Sequence, residues 1–351
     1  MAKIALAVKY RPDNWDSVVE QDSTKVILQQ QLESGEFQHS YLFVGGAGTG
    51  KTTCARIFAD EINNHEGTPI ELDAASNNGV DDVRNIIAQA KTKSLDSEYK
   101  VFIIDECHSL SNTAWQAFLK LIEEPPAKSI FIFCTTNPEK IPKTILSRVQ
   151  RYDFKRISQQ GIVDRLKYII EKENADMILE AGNRDVLNYD YDDEAVEYLA
   201  KLSEGGMRDA ITLMDKCLSY SSELTVENVV KALGVADYST MMELTDAIWY
   251  DRDNNKILDI IEGIHKDGKD LKQFIKQYIN FVLDIKKFII LNEFSYLSLP
   301  QIDEIEDWLK SHNDYNEASD LLDLLLKLNS EIKYDSSPKY MIEAMLLGGL
   351  K

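Results

Sequence analysis

The sequence contains 351 residues, with 39 lysines and arginines against 59 aspartates and glutamates, which gives a formal net charge of −20. This length predicts two or three domains of roughly 100–200 residues each, and an apolar content of 44% suits an ordinary globular protein with a sizeable core. The net charge excludes a uniformly basic, histone-like nucleic-acid binder, because it repels a polyanion at long range, although it permits a local cationic patch.

The first 160 residues alternate short apolar runs with amphipathic stretches. Apolar runs at 40–44, 101–104 and 130–134 predict buried strands, and a helical pattern at 52–62 follows the first of them. Short apolar strands separated by helices are typical of a parallel sheet that is covered on both faces. We therefore expect an α/β domain at 1–160.

The residues beyond 160 show helical periodicity and no strand-like run. A segment rich in asparagine and aspartate, 175–192, predicts a loop or an insertion. Longer helical patterns run from about 240 to the end, and no internal repeat is visible. These patterns predict one helical domain at 161–235 and a second at 236–351. The shorter helical patterns lie at 162–173, 193–202, 208–218 and 226–233.

A glycine-rich sequence lies between the first predicted strand and the first predicted helix. It fits the pattern GxxxxGK[ST], in which backbone N–H groups wrap around phosphates and the helix N-terminus adds a favourable dipole. Here Lys51 would reach the β- and γ-phosphates, and the Thr52 hydroxyl would bind Mg²⁺. A structural glycine turn is the alternative, which the strand–loop–helix context disfavours. The predicted nucleotide contacts are Gly45, Gly46, Ala47, Gly48, Thr49, Gly50, Lys51, Thr52 and Thr53.

Two acidic residues end the second predicted strand. Asp105 and Glu106 follow the apolar run at 101–104 directly, which puts their carboxylates at the carboxyl edge of a parallel sheet, beside the phosphate loop. We expect Asp105 to hold Mg²⁺ and Glu106 to polarise the attacking water. Acids that lie solvated in a turn are the alternative, and the phosphate loop upstream argues against it.

Further short sequences carry a family resemblance. The segment KYRP at 9–12 is followed by Trp15, Val18, Val19 and Gln21. The other sequences are ELDAASNNGVD at 71–81, DECHSLS at 105–111, LKLIEEPP at 119–126, TTNP at 135–138, ILSR at 145–148 and GGMRDA at 205–210. Together they resemble the AAA+ ATPase subunits of sliding-clamp loaders, above all the bacterial DNA polymerase III gamma/tau subunits. The resemblance is specific over 1–235, and beyond 235 it rests only on the helical periodicity of the sequence and on its position in the chain.

The resemblance implies a fold and a set of ligands. The fold would be an AAA+ P-loop NTPase domain with a parallel sheet, followed by a helical lid at 161–235 and an all-α collar at 236–351. The protein would be an ATPase with ATP and Mg²⁺ as its ligands. The adenine-binding segment implied by the resemblance consists of Tyr10, Arg11, Pro12, Val18 and Val19.

Three residues acquire roles only through this resemblance. Thr136 is similar to the polar residue that senses the γ-phosphate, and Arg208 resembles the arginine that contacts it in cis. Arg148 resembles the arginine finger, which acts in trans on ATP bound by the adjacent subunit and spreads positive charge onto the transferring phosphoryl group. A surface arginine at a helix end is the alternative for Arg148, and a salt-bridged helix N-terminal arginine is the alternative for Arg208.

Several features depart from the family pattern. The stretch 55–71 contains no cysteine, whereas these subunits usually carry a four-cysteine zinc module there, so we predict no zinc. Val149 replaces a cysteine after Arg148, and the sequence given ends at 351 without a long C-terminal extension. These departures favour a short variant of the bacteriophage or plasmid type.

The resemblance also implies partners. They are homologous subunits with at least one different subunit in a hetero-pentamer, a sliding clamp, and primer–template DNA that triggers hydrolysis and clamp release. Arg84 and Lys140 are the predicted contacts to DNA phosphates, with a solvated surface position as the alternative for each. Two other functions stay open, namely another AAA+ enzyme such as a branch-migration motor or helicase loader, and a nucleotide-gated scaffold with little turnover.

Compartment signals are few. No apolar run is long enough for a membrane span, and the apolar stretch at 4–8 is too short for a signal-peptide core. The four cysteines have neither CxxC nor zinc-ligand spacing, so we expect buried thiols in a reducing cytoplasm.

Overall fold

The computed structural model describes residues 4–94, 96–181, 188–233, 238–268, 270–297, 299, 303–333, 335 and 337–348. The chain forms two compact units. The first comprises Met1–Ala175 with Ser203–Asp215, and the second comprises Asp176–Leu202 with Lys216–Lys351. The division into three domains at 160 and 235 stays a prediction.

A five-stranded parallel sheet forms the centre of the first unit. Its strands are β1 (Ser40–Gly45), β2 (Ile70–Asp73), β3 (Lys100–Asp105), β4 (Ser129–Thr135) and β5 (Gln150–Phe154). Their order across the sheet is β2-β3-β4-β1-β5, with every pair parallel. Because parallel strands end at the same edge, Gly45, Asp105 and Thr135 lie along one edge of the sheet.

Helices cover both faces of this sheet. The helices of this part of the chain are α1 (Leu6–Lys9), α2 (Asp22–Ser34), α3 (Lys51–Ile62), α4 (Val80–Ala90), α5 (Asn112–Glu123), α6 (Lys143–Leu146) and α7 (Gln159–Ala181), and side chains from α2 to α6 pack in the two cores against the sheet. Leu42 on β1 packs with Trp115 and Phe118 of α5 in one core, whereas Phe43 packs with Phe58 of α3 in the other. Successive side chains on a strand point to opposite faces, which is why the central strands are continuously apolar.

The strand predictions hold for the sheet interior. The predicted runs at 40–44, 101–104 and 130–134 are confirmed as β1, β3 and β4, each one or two residues longer than the apolar run. Apolar runs do not indicate β2 or β5, because both are edge strands whose residues are partly exposed. An edge strand with one open side does not need a continuous apolar run.

The second unit is mainly helical. The later helices are α8 (Asp193–Leu202), α9 (Met207–Tyr220), α10 (Val226–Leu233), α11 (Tyr238–Asp246), α12 (Asn254–Lys266), α13 (Leu271–Leu291), α14 (Asp303–Ser311), α15 (Tyr315–Ile332) and α16 (Pro338–Gly348). Of these, α9 belongs to the first unit up to Asp215. Phe274 and Tyr278 of α13 pack in one core with Leu321, Leu325 and Leu328 of α15. The apolar face of the late leucine-rich helix is therefore a packing surface.

Two expectations for the region beyond 160 are wrong in part. Helix α7 continues through the first part of the predicted loop at 175–192 and ends at Ala181, because alanine, methionine, leucine and glutamate favour helix. Two short strands, β6 (Asp190–Tyr191) and β7 (Glu223–Leu224), pair in parallel where no strand was expected. Two-residue strands are too short to produce a periodic signal. Residues 182–187 of the predicted loop lie outside the described residues.

The cysteine prediction is confirmed for burial. Cys54, Cys107, Cys134 and Cys217 are all buried with free thiols. Burial raises the pKa of Cys54 to about 12 and that of Cys217 to about 11, so both stay protonated and unreactive at neutral pH. Over the ranges given above, no helix is both long enough and apolar enough to cross a membrane.

Candidate nucleotide-binding site

The glycine-rich loop joins the end of β1 to the start of α3. Gly48 and Gly50 have positive φ angles of 68° and 99°, which L-residues rarely adopt. A Cβ atom on Gly48 would lie 3.0 Å from the Cα atom of Gly206, and the N–H of Met207 donates to the carbonyl of Gly48 over 3.0 Å. The loop and the GGMRDA sequence therefore meet, and glycine is needed at the contact.

Lys51 is buried at the start of α3, with 6% of its surface exposed. Its ammonium donates to the carbonyls of Gly45 over 2.9 Å and Gly46 over 2.7 Å. Burial lowers the pKa of Lys51, while Asp105 and Glu106 favour its charged form. A phosphate group would take the place of these carbonyls as the partner of the ammonium.

The two predicted magnesium ligands lie in contact. The Thr52 hydroxyl donates to Asp105 Oδ2 over 2.8 Å, so a hydroxyl and a carboxylate present oxygens at one point beside the loop. Mg²⁺ prefers oxygen ligands and is usually bound by one or two carboxylates plus substrate phosphates. The residues present therefore fit Mg²⁺ that arrives with a nucleotide.

Glu106 has a left-handed backbone conformation, with φ 47°, directly after β3. Its carboxylate accepts a hydrogen bond from the Thr136 hydroxyl over 3.3 Å and lies 3.2 Å from His108 Nδ1. His108 Nδ1 also lies 3.2 Å from the Thr135 hydroxyl. Thr136 thus contacts the predicted water-polarising carboxylate, and it does not line the cavity described next.

A cavity of about 270 Å³ lies within the first unit, against the phosphate loop. Of the predicted site residues, those in its wall are Tyr10, Arg11, Pro12, Val18, Val19, Ala47, Gly48, Thr49, Gly50, Lys51, Thr52, Thr53, Asp105, Glu106 and Arg208. Gly45 and Gly46 are outside the wall, but their carbonyls hold Lys51. Residues from distant parts of the chain therefore surround one space.

Several wall residues were missed by sequence reasoning. They are Ala7, Ser17, Ile157, Arg165, Met207, Asp209 and Ile211. Met207 and Asp209 lie inside the GGMRDA sequence and could have been included with Arg208. No spacing pattern in the sequence indicates Arg165, which lies on α7 and reaches the cavity only through the tertiary fold.

The electrostatics of the wall favour an anion. Burial lowers the pKa of Arg11, and the nearby charges of Arg56 and Arg208 lower it further, while Glu71 and Asp105 partly offset this effect. Repulsion among cations at one place is relieved when a negatively charged group binds there. Together with buried Lys51 and the start of α3, the wall residues Arg11 and Arg208 suit the phosphates of a nucleotide.

The remaining predicted residues lie outside the cavity wall. Arg148 follows α6, is exposed, and pairs with Glu123 over 2.9 Å while donating to the Thr144 carbonyl over 2.7 Å. Arg84 on α4 is exposed and pairs with Asp81 over 2.8 Å. Lys140 is exposed at the end of a 3₁₀ turn, Pro138–Lys140. Their roles in trans or on DNA stay predictions.

A zinc site was not expected, and this also stays a prediction. In the part of the chain that the structure describes, no group of three or more histidine, cysteine, aspartate or glutamate residues is arranged to hold a metal ion.

Sequence comparison connects this site to one family. Residues 68–158 match the family model described as DNA polymerase III, delta subunit, and residues 224–348 match that of DNA polymerase III subunits gamma and tau domain III. The Bacillus subtilis DNA polymerase III subunit tau is 33% identical over 99% of this chain and 63% of its own length. The chain is a relative of the bacterial DNA polymerase III gamma/tau subunits.

The relationship extends over nearly the whole chain. The DNA polymerase III subunit gamma of Buchnera aphidicola is 28% identical, with 97% of this chain and 96% of that subunit covered. The chain spans a smaller part of other gamma/tau relatives, from 63% of the Bacillus subtilis protein to 38% of the Haemophilus influenzae one.

The fold is shared with a solved AAA+ structure. The RuvB Holliday junction branch migration motor of Thermotoga maritima aligns with a TM-score of 0.50 and 21% identity, covering 77% of this chain and 90% of that one. This likeness concerns the fold alone. This gamma/tau relative therefore has the predicted AAA+ P-loop fold, with a parallel sheet and a mainly helical C-terminal part.

Proposed function

We propose that this protein is the ATP-driven motor subunit of a sliding-clamp loader. ATP binding would open the clamp of a DNA polymerase, and primer–template DNA would trigger hydrolysis and clamp release. The observation that carries the proposal is the convergence of Lys51, Thr52, Asp105, Glu106 and Arg208 on one cavity. The relationship to DNA polymerase III gamma/tau subunits supports the clamp-loading role.

Each of these residues has a part in phosphoryl transfer. Lys51 would neutralise the phosphates, and Thr52 with Asp105 would hold Mg²⁺, which when bound neutralises charge on the phosphate oxygens. Glu106 would orient and polarise the attacking water. Arg208 would add positive charge at the γ-phosphate from the same chain. The contact between Thr136 and Glu106 supports a role for Thr136 in placing that carboxylate.

The partners belong to the same proposal. Arg148 would act on ATP bound by a neighbouring subunit, which fits its position outside the cavity of its own chain. Homologous subunits, at least one different subunit, a sliding clamp and primer–template DNA would complete the assembly, and Arg84 and Lys140 would meet DNA phosphates. We also propose that the protein works in the cytoplasm and needs Mg²⁺ but no zinc.

The deciding experiment is steady-state ATP hydrolysis by the full chain with its co-purified partners. We expect turnover to rise when clamp and primed DNA are both added, and the Glu106→Gln variant to lose that turnover while still binding ATP. If neither clamp nor primed DNA stimulates ATP turnover, the clamp-loader proposal is wrong. A native mass that corresponds to a homo-hexamer would favour a branch-migration type of motor instead.

A further inference from the structure

The N-terminal segment forms one wall of the nucleotide cavity. Ala7, Tyr10, Arg11 and Pro12 all line it, and they belong to or directly follow the four-residue helix α1. A helix this short is not stable by itself, because the conformational entropy lost in forming the first turn exceeds the stabilisation from the hydrogen bonds of one turn. Contacts with other elements must therefore hold this wall in place.

One such contact is the hydrogen bond from the Leu6 N–H to Asp215 Oδ2 over 3.0 Å, and helix α7 supplies several others. Oε1 of Glu173 accepts hydrogen bonds from both Lys9 Nζ and the Tyr10 hydroxyl, each over 2.6 Å. The Glu173 side chain is only 12% exposed, whereas that of Lys9 is 39% exposed, so water screens the Tyr10 contact less than the Lys9 ion pair. One carboxylate thus joins two consecutive residues at the end of α1.

Arg165 makes a second contact between the same two elements. It lies two helical turns before Glu173 on α7, and its Nη2 atom donates to the Tyr10 carbonyl over 3.1 Å. Burial lowers the pKa of Arg165, and its guanidinium lies 5.0 Å from the centre of the Tyr168 ring. Tyr10 is therefore held through its hydroxyl by Glu173 and through its carbonyl by Arg165.

We propose that Glu173 is a positioning residue for nucleotide binding, which acts through Tyr10 and Lys9 without touching the nucleotide. This inference rests on the proposed function, because it takes the cavity as the nucleotide site. Glu173 is not in the cavity wall, and its two partners belong to the N-terminal wall segment, not to the phosphate loop. Its loss should consequently weaken ADP and ATP binding to the same degree.

The test is titration of the full chain with ADP and with ATP at fixed Mg²⁺. For Glu173→Ala we expect the dissociation constant of both nucleotides to rise roughly 10- to 150-fold, the range for losing hydrogen bonds to a charged group. Glu173→Gln keeps an oxygen acceptor for Tyr10 but loses the charge, so it should fall between the wild type and Glu173→Ala. Glu171→Ala is the matched control, since Glu171 is exposed on the same helix.

A double-mutant cycle separates positioning from general destabilisation. Tyr10→Phe removes only the hydroxyl that Glu173 accepts from, so Tyr10→Phe combined with Glu173→Ala should bind ADP about as weakly as Glu173→Ala alone. Multiplicative losses in the double variant would overturn the inference. If Glu173→Ala does not fold, the ADP affinities of Tyr10→Phe and Glu173→Gln test the inference instead. Unchanged ADP affinity in both variants would overturn the positioning role of Glu173.

The outcomes distinguish this inference from the proposed function. A wild-type chain that binds neither nucleotide contradicts the proposed function. A wild-type chain that binds ADP and ATP, with Glu173→Ala indistinguishable from Glu171→Ala, contradicts only the role of Glu173.

Discussion

The cavity residues and the exposed cations of the first unit are held in different ways. Lys51 is buried with two backbone carbonyls as partners, and Glu106 has contacts to Thr136 and His108. Arg148 and Arg84 instead lie at the surface in ion pairs whose partners are also exposed. Such pairs contribute only about 0–1 kcal/mol. The cavity is therefore preorganised within one chain, whereas a partner molecule can replace the contacts of the exposed cations at little cost.

The strongest test of this difference is Arg148→Ala. We expect ATP binding to stay nearly intact, because Arg148 is outside the cavity wall, while stimulated hydrolysis in the assembled complex falls by about 10³–10⁵-fold, as for arginine fingers elsewhere. Nucleotide titration and steady-state turnover measure the two effects separately. Arg151→Ala is the control, since Arg151 is exposed and pairs with Asp153 over 2.6 Å. Loss of ATP binding in Arg148→Ala would argue against action in trans.

Glu106→Gln tests the role of the cavity residues, because it changes the carboxylate that we expect to polarise the attacking water. The amide cannot accept a proton from the attacking water, so we expect turnover to drop by about 10²–10⁴-fold, the usual contribution of a general base. Single-turnover hydrolysis and ATP titration on the same sample separate chemistry from binding. Glu124→Gln provides the control, because Glu124 is exposed. A nucleotide-gated scaffold would show little change in turnover.

Gly48→Ala tests the backbone conformation of the phosphate loop. A Cβ atom would lie 3.0 Å from the Cα atom of Gly206 at a residue with φ 68°, so the loop must shift. Strain of this kind costs about 1–3 kcal/mol, which predicts a lower thermal midpoint and weaker ADP binding. Gly46→Ala is the matched control, since its nearest contact would be the Thr49 methyl at 3.7 Å. Equal effects of the two substitutions would contradict this reasoning.

The smallest expected effect concerns DNA. Arg84→Ala and Lys140→Ala should each lower the salt dependence of primed-DNA binding by about one unit in the slope of log affinity against log salt. Binding by the assembled complex over a salt series measures that slope. Lys128→Ala is the control. Lys128 directly precedes β4, so it lies beyond the opposite end of that strand from Lys140 and is not a predicted DNA contact. A slope that changes equally in all three variants would remove the case for specific phosphate contacts.

Much of the cavity was predictable because its chemistry is local in sequence. Lys51 and Thr52 lie in one continuous motif, and Asp105 and Glu106 end an apolar strand. The contacts that the sequence did not predict join elements that are far apart along the chain. Arg165 and Glu173 lie on α7 more than a hundred residues from Tyr10, and no pattern connects two elements that far apart.

The sequence by itself determined the buried strands, the phosphate loop with its acidic partners, and the family. These features follow from the types of residues that lie close together in the sequence. Apolar runs, glycine-rich loops and paired carboxylates each predict one kind of local structure. The tertiary structure alone decided that Thr136 contacts Glu106, that Arg148 lies outside its own cavity, and that Glu173 holds Tyr10. Side-chain partners across distant elements depend on how helices pack on the sheet, which no local pattern encodes.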